Sequence, residues 1–549
     1  MLGLASSILC SFFILFSLTS NAASKDDLVV NTSSGPINGK ALTIGSGSVR
    51  AYLGIPYAEP PLGKLRFQKP LPHKPWSQIF EATNFGNACL QSVLSQTPEA
   101  KLWNPNRPLS EDCLFLNIWV PHPQPSVPIP ILVWIHGGGF VAGTSSLDLY
   151  NGASLAATEN VIVASMNYRL GALGFLSLPP AVPGNMGLWD QHLALTWIKQ
   201  NAAAFGGDPK RVTIFGHSAG AASVGFHLLS PKSEPLFAQA VLQSGAIYAS
   251  ASPGKAKNNS LEFSQLLGCG EGNENEIVSC LQDKNAVEFP QHEASLSKKK
   301  PLYPVFEPTA DGEFLTDDPQ SLLDSQHVQI KPVLTGVTSD EAAPIVDLII
   351  LGSNYSQITM EIFLTVLRYL VRNTTEEDIQ AVALKYSEES HGPAKYRSGL
   401  VQSLGDYFFV CPVAKFAGQI RNVGSPVYVY LFTHHTSGTV WPEWVGVPHG
   451  AELIYLFGNF EAAFQANKTH TEAEEALSRR IMQYWAEFAR TGKPTGSEKK
   501  EVEWPRYNAT LENFYHLSTE PAQVLPVSPA RHCNLFKTHT VNPKKSDED

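Results

Sequence analysis

The segment at 215–220 reads FGHSAG and places Ser218 two residues from a glycine on either side. This Gly-x-Ser-x-Gly spacing is typical of a nucleophile elbow, a sharp turn in which neighbouring backbone passes too close for a Cβ atom. Residues 211–215 predict a strand before the turn, and residues 219–229 predict a helix after it. That context favours a serine nucleophile over a structural glycine loop.

A serine hydroxyl needs a general base and a carboxylate that orients the base. Behind a nucleophile elbow, the chain order is serine, acid, histidine. The segment GVTSDE ends at Glu341, and GVPHGAE places His449 between loop glycines. We therefore predict Ser218, Glu341 and His449 as catalytic residues. Asp340 is a competing acid, because a loop at the end of a strand does not choose between neighbouring carboxylates.

A third motif, HGGGF at 136–140, directly follows the apolar run ILVWI. Three consecutive glycines leave backbone N–H groups unshielded, so they can point at a developing oxyanion. We expect Gly138 and Gly139 to donate such N–H groups beside Ala219, which stands at the head of the predicted helix. The chemistry indicated is acyl transfer through a covalent serine intermediate, which requires neither a metal nor a cofactor.

Short apolar runs surround these motifs and alternate with helical patterns. The runs are ILVWIHG, VIVASMNYR, VTIFG, AVLQSG, KPVLTG and VYVYLF. Nearly continuous β-branched hydrophobicity is typical of strands buried on both faces of a parallel sheet. Between the second and third runs, Trp189, Leu193 and Trp197 recur at helical spacing, and Gly206-Gly207 is expected to stop that helix. The pattern predicts one α/β domain over residues 24–537, with helices on both faces of a mostly parallel sheet.

The two ends of the chain indicate export. Residues 1–23 contain the uncharged run ILCSFFILFSL and then small residues, a pattern typical of a secretory signal peptide. The run is too short for a comfortable membrane span, and we expect no membrane anchor. Residues 538–549 form a polar tail. We therefore predict a secreted, extracellular protein.

Cysteines and glycosylation signals agree with that route. Removing Cys10 with the signal peptide leaves an even six cysteines, which predicts three disulfides with 15 alternative connectivities. They are Cys89, Cys113, Cys269, Cys280, Cys411 and Cys533. N-glycosylation sequons begin at Asn31, Asn258, Asn354, Asn373, Asn467 and Asn508.

The net charge of −10 bears on the partners. Nucleic acid and anionic membrane surfaces do not attract a negatively charged protein, so we expect neither as a partner. A small-molecule ester is the expected ligand.

Taken together, the motifs resemble the type-B carboxylesterase and cholinesterase family across the mature chain. The resemblance rests on YLGIPYAEPPLGKLRF, SEDCLFLN, HGGGF, FGGDPKRVTIFGHSAG, GVTSDE and WPEWVGVPHGAE. It implies the α/β-hydrolase fold and Glu341, not Asp340, as the acid. It also implies an Arg66–Glu111 ion pair and the disulfides Cys89–Cys113, Cys269–Cys280 and Cys411–Cys533.

The same resemblance implies residues that contact the substrate. LWNPN at 102–106 is similar to the family motif whose tryptophan, here Trp103, holds a choline cation, and Trp441 matches a second aromatic residue. Family members usually carry glutamate where this chain has His217, so the attraction for a cation is reduced. Leu302 and Pro304 stand where an acetyl-selective relative would carry two phenylalanines, which implies an open acyl pocket.

These residues favour a secreted serine carboxylesterase, cholinesterase-like, that acts on small to medium esters with a broad range of acyl groups. One alternative is a true cholinesterase that hydrolyses acylcholines. A non-catalytic adhesion protein on the same fold is disfavoured, because all three residues of the predicted triad are present.

Overall fold

The computed structural model describes residues 28–93, 98–247, 250–298, 304–349, 358–371, 374–392, 394–462, 464, 468–496 and 502–536. The predicted signal peptide, the polar tail at 538–549 and Leu302 lie outside the described residues. The sequons at Asn354, Asn373 and Asn467 also lie outside them.

The strands of the described chain are β1 Val29–Thr32, β2 Gly35–Asn38, β3 Lys40–Ile44, β4 Gly47–Pro56, β5 Phe80–Glu81, β6 Ala88–Cys89, β7 Leu109–Ser110, β8 Phe115–His122, β9 Ile129–Ile135, β10 Ile162–Met166, β11 Gly207–His217, β12 Gln239–Gln243, β13 Val333–Thr338, β14 Val427–Phe432, β15 Tyr515–Leu517 and β16 Gln523–Val524.

The helices are α1 Pro98–Lys101, α2 Ala153–Glu159, α3 Gly171–Phe175, α4 Met186–Asn201, α5 Ala219–Leu229, α6 Pro253–Leu266, α7 Glu274–Asp283, α8 Phe289–Ser297, α9 Pro319–Asp324, α10 Ala343–Ile349, α11 Met360–Leu370, α12 Glu376–Glu389, α13 Lys395–Gly405, α14 Cys411–Asn422, α15 Leu453–Phe457 and α16 Glu472–Thr491. A π-helical turn, Asp406–Val410, joins α13 to α14. Among the described residues, no helix is both long enough and apolar enough to cross a membrane.

An eleven-stranded sheet forms the centre of the domain, in the order β16-β15-β14-β13-β12-β11-β9-β10-β8-β4-β3. From β10 to β15 in this order, neighbouring strands pair in parallel; the outer strands pair antiparallel. The six apolar runs of the sequence correspond to β9 to β14, which lie side by side among the parallel strands. The predicted mostly parallel sheet is therefore confirmed.

Helices cover both faces of this sheet. The apolar core on one face includes α4 and α5, and the core on the other includes α2, α15 and α16. β9 is buried along its whole length, as expected for a strand covered on both sides. The helix α4 ends at Asn201, a short 3-10 turn follows, and Gly206 ends that turn with φ +80°. Gly207, expected to share this stop, is instead the first residue of β11.

Three disulfides and one ion pair tie peripheral segments to the domain. The disulfides are Cys89–Cys113, Cys269–Cys280 and Cys411–Cys533, the pairing that the family resemblance implies. Arg66 Nε and Nη2 each donate to one oxygen of Glu111 at 2.7 Å. Both side chains are largely buried, so this bidentate pair fixes the loop between β4 and β5, which carries Arg66.

Candidate active site

Ser218 occupies the sharp turn between β11, which ends at His217, and α5, which begins at Ala219. Its backbone has φ +57° and ψ −123°, a strained conformation that a non-glycine residue keeps only when its surroundings enforce it. The Ser218 N–H donates to the carbonyl of Gln243 at 2.9 Å. A Cβ on Gly220 would lie 2.0 Å from the carbonyl oxygen of Ile135, so only glycine permits this close approach.

His449 and Glu341 meet beside this turn. The His449 Nδ1 atom lies 2.6 Å from Glu341 Oε2, and the glutamate side chain is almost fully buried. Glu341 Oε1 accepts from the Thr338 N–H at 2.7 Å and from the Ser244 hydroxyl at 2.6 Å. Because a carboxylate only accepts hydrogen bonds, Nδ1 is the protonated nitrogen, and Nε2 remains free to accept a proton.

Asp340, the competing acid, faces elsewhere. Its carboxylate accepts from the Val447 N–H at 3.0 Å and from Gln402 Nε2 at 3.0 Å, and it contacts Ser339 at 2.7 Å. The bond to Val447 holds the loop that carries His449. The His449 imidazole is therefore paired with Glu341, whereas Asp340 stabilises the loop.

The glycine motif after β9 forms a tight loop whose backbone is well supported. Gly138 has φ +116°, and a Cβ there would lie 2.1 Å from the carbonyl oxygen of Ala142. Gln91 braces the far end of the loop, because it accepts from the Gly143 N–H at 2.8 Å and donates to the Gly143 carbonyl at 2.9 Å. Burial lowers the pKa of His136, at the start of the motif, to about 4, so this residue is a neutral packing group at neutral pH.

An open cavity of about 660 Å³, its mouth included, contains both Ser218 and His449. Its walls are Trp103, Gly137, Gly138, Ala142, Gly143, Leu147, Tyr150, His217, Ser218, Pro344 and His449. Among these described lining residues none is acidic, so the cavity is apolar with a few hydrogen-bonding groups.

The sequence as a whole was compared with known proteins. The profile of the carboxylesterase family matches residues 26–536. The chain is 43% identical over 524 residues to the acetylcholinesterase of Bungarus fasciatus, with 93% of this chain and 86% of that protein covered. It is 41% identical over 530 residues to the cholinesterase of Mus musculus, with 93% and 87% covered.

This chain belongs to the carboxylesterase family. The resemblance found in its motifs is thereby confirmed, and with it the α/β-hydrolase fold. The family and both relatives place the chain among serine carboxylic-ester hydrolases.

In this carboxylesterase-family site, the residues expected to contact substrate do not all share one cavity. Trp103 and His217 line the cavity of Ser218. Trp441 instead lines an adjoining cavity of about 430 Å³, of which Trp103 and His449 form the shared wall. Pro304 lies beside the glycine loop, since its Cγ is 4.0 Å from the position of a Cβ on Gly139.

The sequence reasoning missed two side chains that position His449. Ser244, directly after β12, holds Glu341, and the family motifs gave no reason to choose this serine. The π-helical turn carries Phe409, whose ring centre lies 4.6 Å from that of His449. π-Helical turns are frequent at functional sites, but their local sequence shows no distinct pattern.

A second buried carboxyl group, also missed, lies one helical turn after His449. Glu452 accepts from Gln243 Nε2 at 3.1 Å, and its other oxygen has no hydrogen-bond partner among the described residues. Burial, reinforced by the charge of Glu341, raises the pKa of Glu452 to about 7. Its position three residues after the predicted base is the only signal that could have found it.

Proposed function

We propose that the protein is a secreted carboxylesterase that hydrolyses small to medium uncharged esters through an acyl-enzyme. The observation that carries the proposal is the 2.6 Å contact between His449 and a buried Glu341, in the cavity that also contains the strained Ser218 turn. Family membership supports ester hydrolysis, and the geometry supports the roles proposed below for the residues.

In the proposed mechanism, the Ser218 hydroxyl oxygen attacks the ester carbonyl carbon while His449 Nε2 takes the hydroxyl proton. Glu341 keeps the imidazole in the required tautomer and stabilises the imidazolium. The N–H groups of Gly138, Gly139 and Ala219 stabilise the negative charge on the carbonyl oxygen.

Collapse of the tetrahedral intermediate breaks the bond to the alcohol oxygen, which receives the proton from His449. Water then attacks the acyl-enzyme, and His449 removes its proton. The bond between the acyl carbon and Ser218 Oγ then breaks, His449 returns the proton to that oxygen, and the acid leaves.

The cavity supports a preference for uncharged alcohols. Burial, with a further contribution from nearby His449, holds the pKa of His217 well below its ordinary value, so His217 is neutral at physiological pH. A cation would meet the Trp103 face without an acidic lining residue to reinforce it. On the acyl side, Pro304 lies beside Gly139 and is smaller than the phenylalanine of an acetyl-selective relative, which supports acceptance of larger acids.

A second candidate function is hydrolysis of acylcholines. It is favoured by the two relatives, named as cholinesterases, and by the position of Trp103 in the same cavity as Ser218. Choline and neutral esters with short and long acyl chains, assayed side by side, separate the two candidates.

The secretory route is part of the proposal. Its support is the sequence pattern of residues 1–23, the three disulfides and the exposed side chains of Asn31 and Asn258. Asn508 is half-buried at the surface.

Replacing Ser218 tests the proposed function. We expect Ser218→Ala to hydrolyse p-nitrophenyl butanoate at less than about a thousandth of the wild-type rate and to resist labelling by a fluorophosphonate probe. Ser295→Ala, at an exposed serine on α8, is the matched control and should retain both properties. Labelling of Ser218→Ala, or failure of the wild type to hydrolyse any ester, would contradict the proposal.

A further inference from the structure

The glycine loop that is proposed to bind the oxyanion ends in a strained residue. Phe140 follows Gly139 directly and has φ +63°, in the left-handed region, although it carries a side chain. A non-glycine residue keeps this conformation only where the surrounding structure enforces it. Gly139 itself has φ +61°, so the backbone turns at two consecutive residues. The contacts that hold Phe140 therefore also fix the backbone beside the Gly139 N–H.

The short helix α3 holds Phe140 at both its backbone and its ring. The N–H of Gly171, the first residue of α3, donates to the Phe140 carbonyl at 2.8 Å. Phe175, the last residue of α3, packs edge to face against the Phe140 ring, with the ring centres 5.1 Å apart. All five residues of α3 are buried. The position of this helix therefore determines the position of Phe140.

Glu293, on α8, supplies an acceptor at the start of α3. The first N–H groups of a helix have no acceptor within the helix itself. The Gly171 N–H uses the Phe140 carbonyl, and the next one, of Ala172, donates to Glu293 Oε1 at 2.8 Å. Ala172 is fully buried, so water cannot easily replace the carboxyl group. Loss of Glu293 would leave this N–H unpaired, which is unfavourable enough to shift the start of α3.

The carboxyl group of Glu293 acts here as a hydrogen-bond acceptor and not as half of an ion pair. Among the described residues no cationic side chain pairs with it, and burial raises its pKa to about 8. The uncharged form therefore predominates at neutral pH. A neutral side chain of the same shape that can still accept a hydrogen bond should replace it.

We propose that Glu293 is a positioning residue for the oxyanion-binding glycine loop and acts through α3 and Phe140. It does not line the cavity of Ser218, so it has no direct contact with substrate there. The inference rests on the proposed mechanism, in which Gly138 and Gly139 donate to the oxyanion. A displaced loop should weaken binding of the charge that develops in the transition state more than binding of the neutral ester.

Substitutions at Glu293 test this inference through kcat for p-nitrophenyl butanoate at neutral pH. Glu293→Met keeps the length of the side chain and loses both oxygens, and Glu293→Ala is a second, smaller variant. We expect kcat to fall about tenfold in both, with KM within about twofold of wild type. Glu293→Gln keeps an acceptor and should stay within about twofold in kcat. Glu288→Met, at an exposed residue just before α8, is the matched control.

A pair of ketones measures the oxyanion contacts directly. Ser218 Oγ adds to the carbonyl carbon of 1,1,1-trifluorohexan-2-one, the hydroxyl proton passes to His449, and the carbonyl oxygen becomes an oxyanion in the glycine loop. Hexan-2-one has the same chain, but its carbonyl is much less reactive. In Glu293→Met and Glu293→Ala, the inhibition constant of the fluorinated ketone should rise about tenfold, and that of hexan-2-one should stay within about twofold.

Two controls exclude a purely structural effect. Thermal unfolding midpoints verify that each variant is folded, and end-point labelling with a fluorophosphonate counts the active sites. A variant that is only less stable has fewer labelled sites, but its kcat for each site and its inhibition constants match those of wild type.

Unchanged kcat and unchanged inhibition constants in both Glu293→Met and Glu293→Ala would overturn the inference while leaving ester hydrolysis intact. A loss in Glu293→Gln as large as in Glu293→Met would also overturn it, because the acceptor would then not be the cause. An equal loss in Glu288→Met would have the same consequence. If the wild type does not hydrolyse p-nitrophenyl butanoate, the proposed function fails, and this inference fails with it.

Discussion

The two sides of the His449 imidazole differ in how completely their polar atoms are paired. On one side, Glu341 accepts from the Thr338 backbone and from Ser244, and contacts Nδ1. On the other side, the Nε2 atom of His217 is buried and has no hydrogen-bond partner among the described residues. A closed network fixes the geometry of a group, whereas His217 lines the cavity and can affect what enters it. The Glu341 side should therefore control the rate, and the His217 side should control the choice of substrate.

The largest expected effect is at Glu341. We expect Glu341→Gln to lower kcat/KM for p-nitrophenyl butanoate about 10³- to 10⁴-fold, because the amide can donate to Nδ1 and favour the wrong tautomer. Asp340→Asn, which changes the adjacent carboxylate, should cost less than about tenfold, since Asp340 supports the loop and not the ring. A reversal of these two results would assign the acid to Asp340.

A smaller effect should follow when a single hydrogen bond to Glu341 is removed. Ser244→Ala removes one of the donors to Glu341 Oε1, and we expect a loss of about tenfold to thirtyfold in kcat with little change in KM. Steady-state kinetics on p-nitrophenyl butanoate measures this split. Thr335→Val, which removes a buried hydroxyl bonded to the Leu242 carbonyl, is the control. A rise in KM with unchanged kcat would indicate that Ser244 contributes to substrate binding and not to the positioning of Glu341.

At position 217, an added charge should change the selectivity between esters more than the rate of hydrolysis. His217→Glu adds a carboxylate beside Trp103, and we expect kcat/KM for butanoylcholine relative to 3,3-dimethylbutyl butanoate to rise fivefold to tenfold. The two esters have the same shape and differ only in the cationic nitrogen. An unchanged ratio would remove position 217 from the determinants of cation preference.

The smallest expected effect comes from Glu452. With a pKa of about 7, its carboxyl group gains a negative charge as the pH rises through 7, close to Tyr150 in the cavity wall. His217 stays neutral across that range because burial and His449 depress its pKa. The same choline-to-neutral ratio should therefore increase about twofold between pH 6 and pH 8 in wild type, and should be flat in Glu452→Gln. A ratio that does not change with pH in the wild type would contradict the titration of Glu452 in this range.

The parts of the site that a short motif encodes were predictable from the sequence. The elbow at Ser218 and the glycine loop at Gly138 depend on close backbone contacts that only glycine allows. The positions of glycines in the sequence therefore reveal both turns. The choice between Asp340 and Glu341 was not available from the residues alone, since both stand at the same strand end. The family resemblance favoured Glu341, and in the structure Glu341 contacts His449 Nδ1 while Asp340 accepts from the Val447 N–H.

Features that depend on long-range packing were not predictable in the same way. The contact between Ser244 and Glu341 joins residues 97 positions apart, and neither lies in a pattern that names the other. Trp441 matched a family aromatic, yet it lies in the adjoining cavity. The ring contacts of His217 join three separate segments that meet at residues 103, 217 and 449, and sequence periodicity carries no information about such a meeting.

The Cys411–Cys533 disulfide closes a stretch of 122 residues that includes His449 but excludes both Ser218 and Glu341. Cys411 stands two residues after Phe409, so the cross-link also holds the π-helical turn whose phenylalanine ring packs against the imidazole. Closing a loop of this length stabilises a fold by on the order of 4–5 kcal/mol in the chain-entropy model. Protein produced in a reducing cytosol would lack this cross-link close to His449, so active protein should be produced in an oxidising compartment.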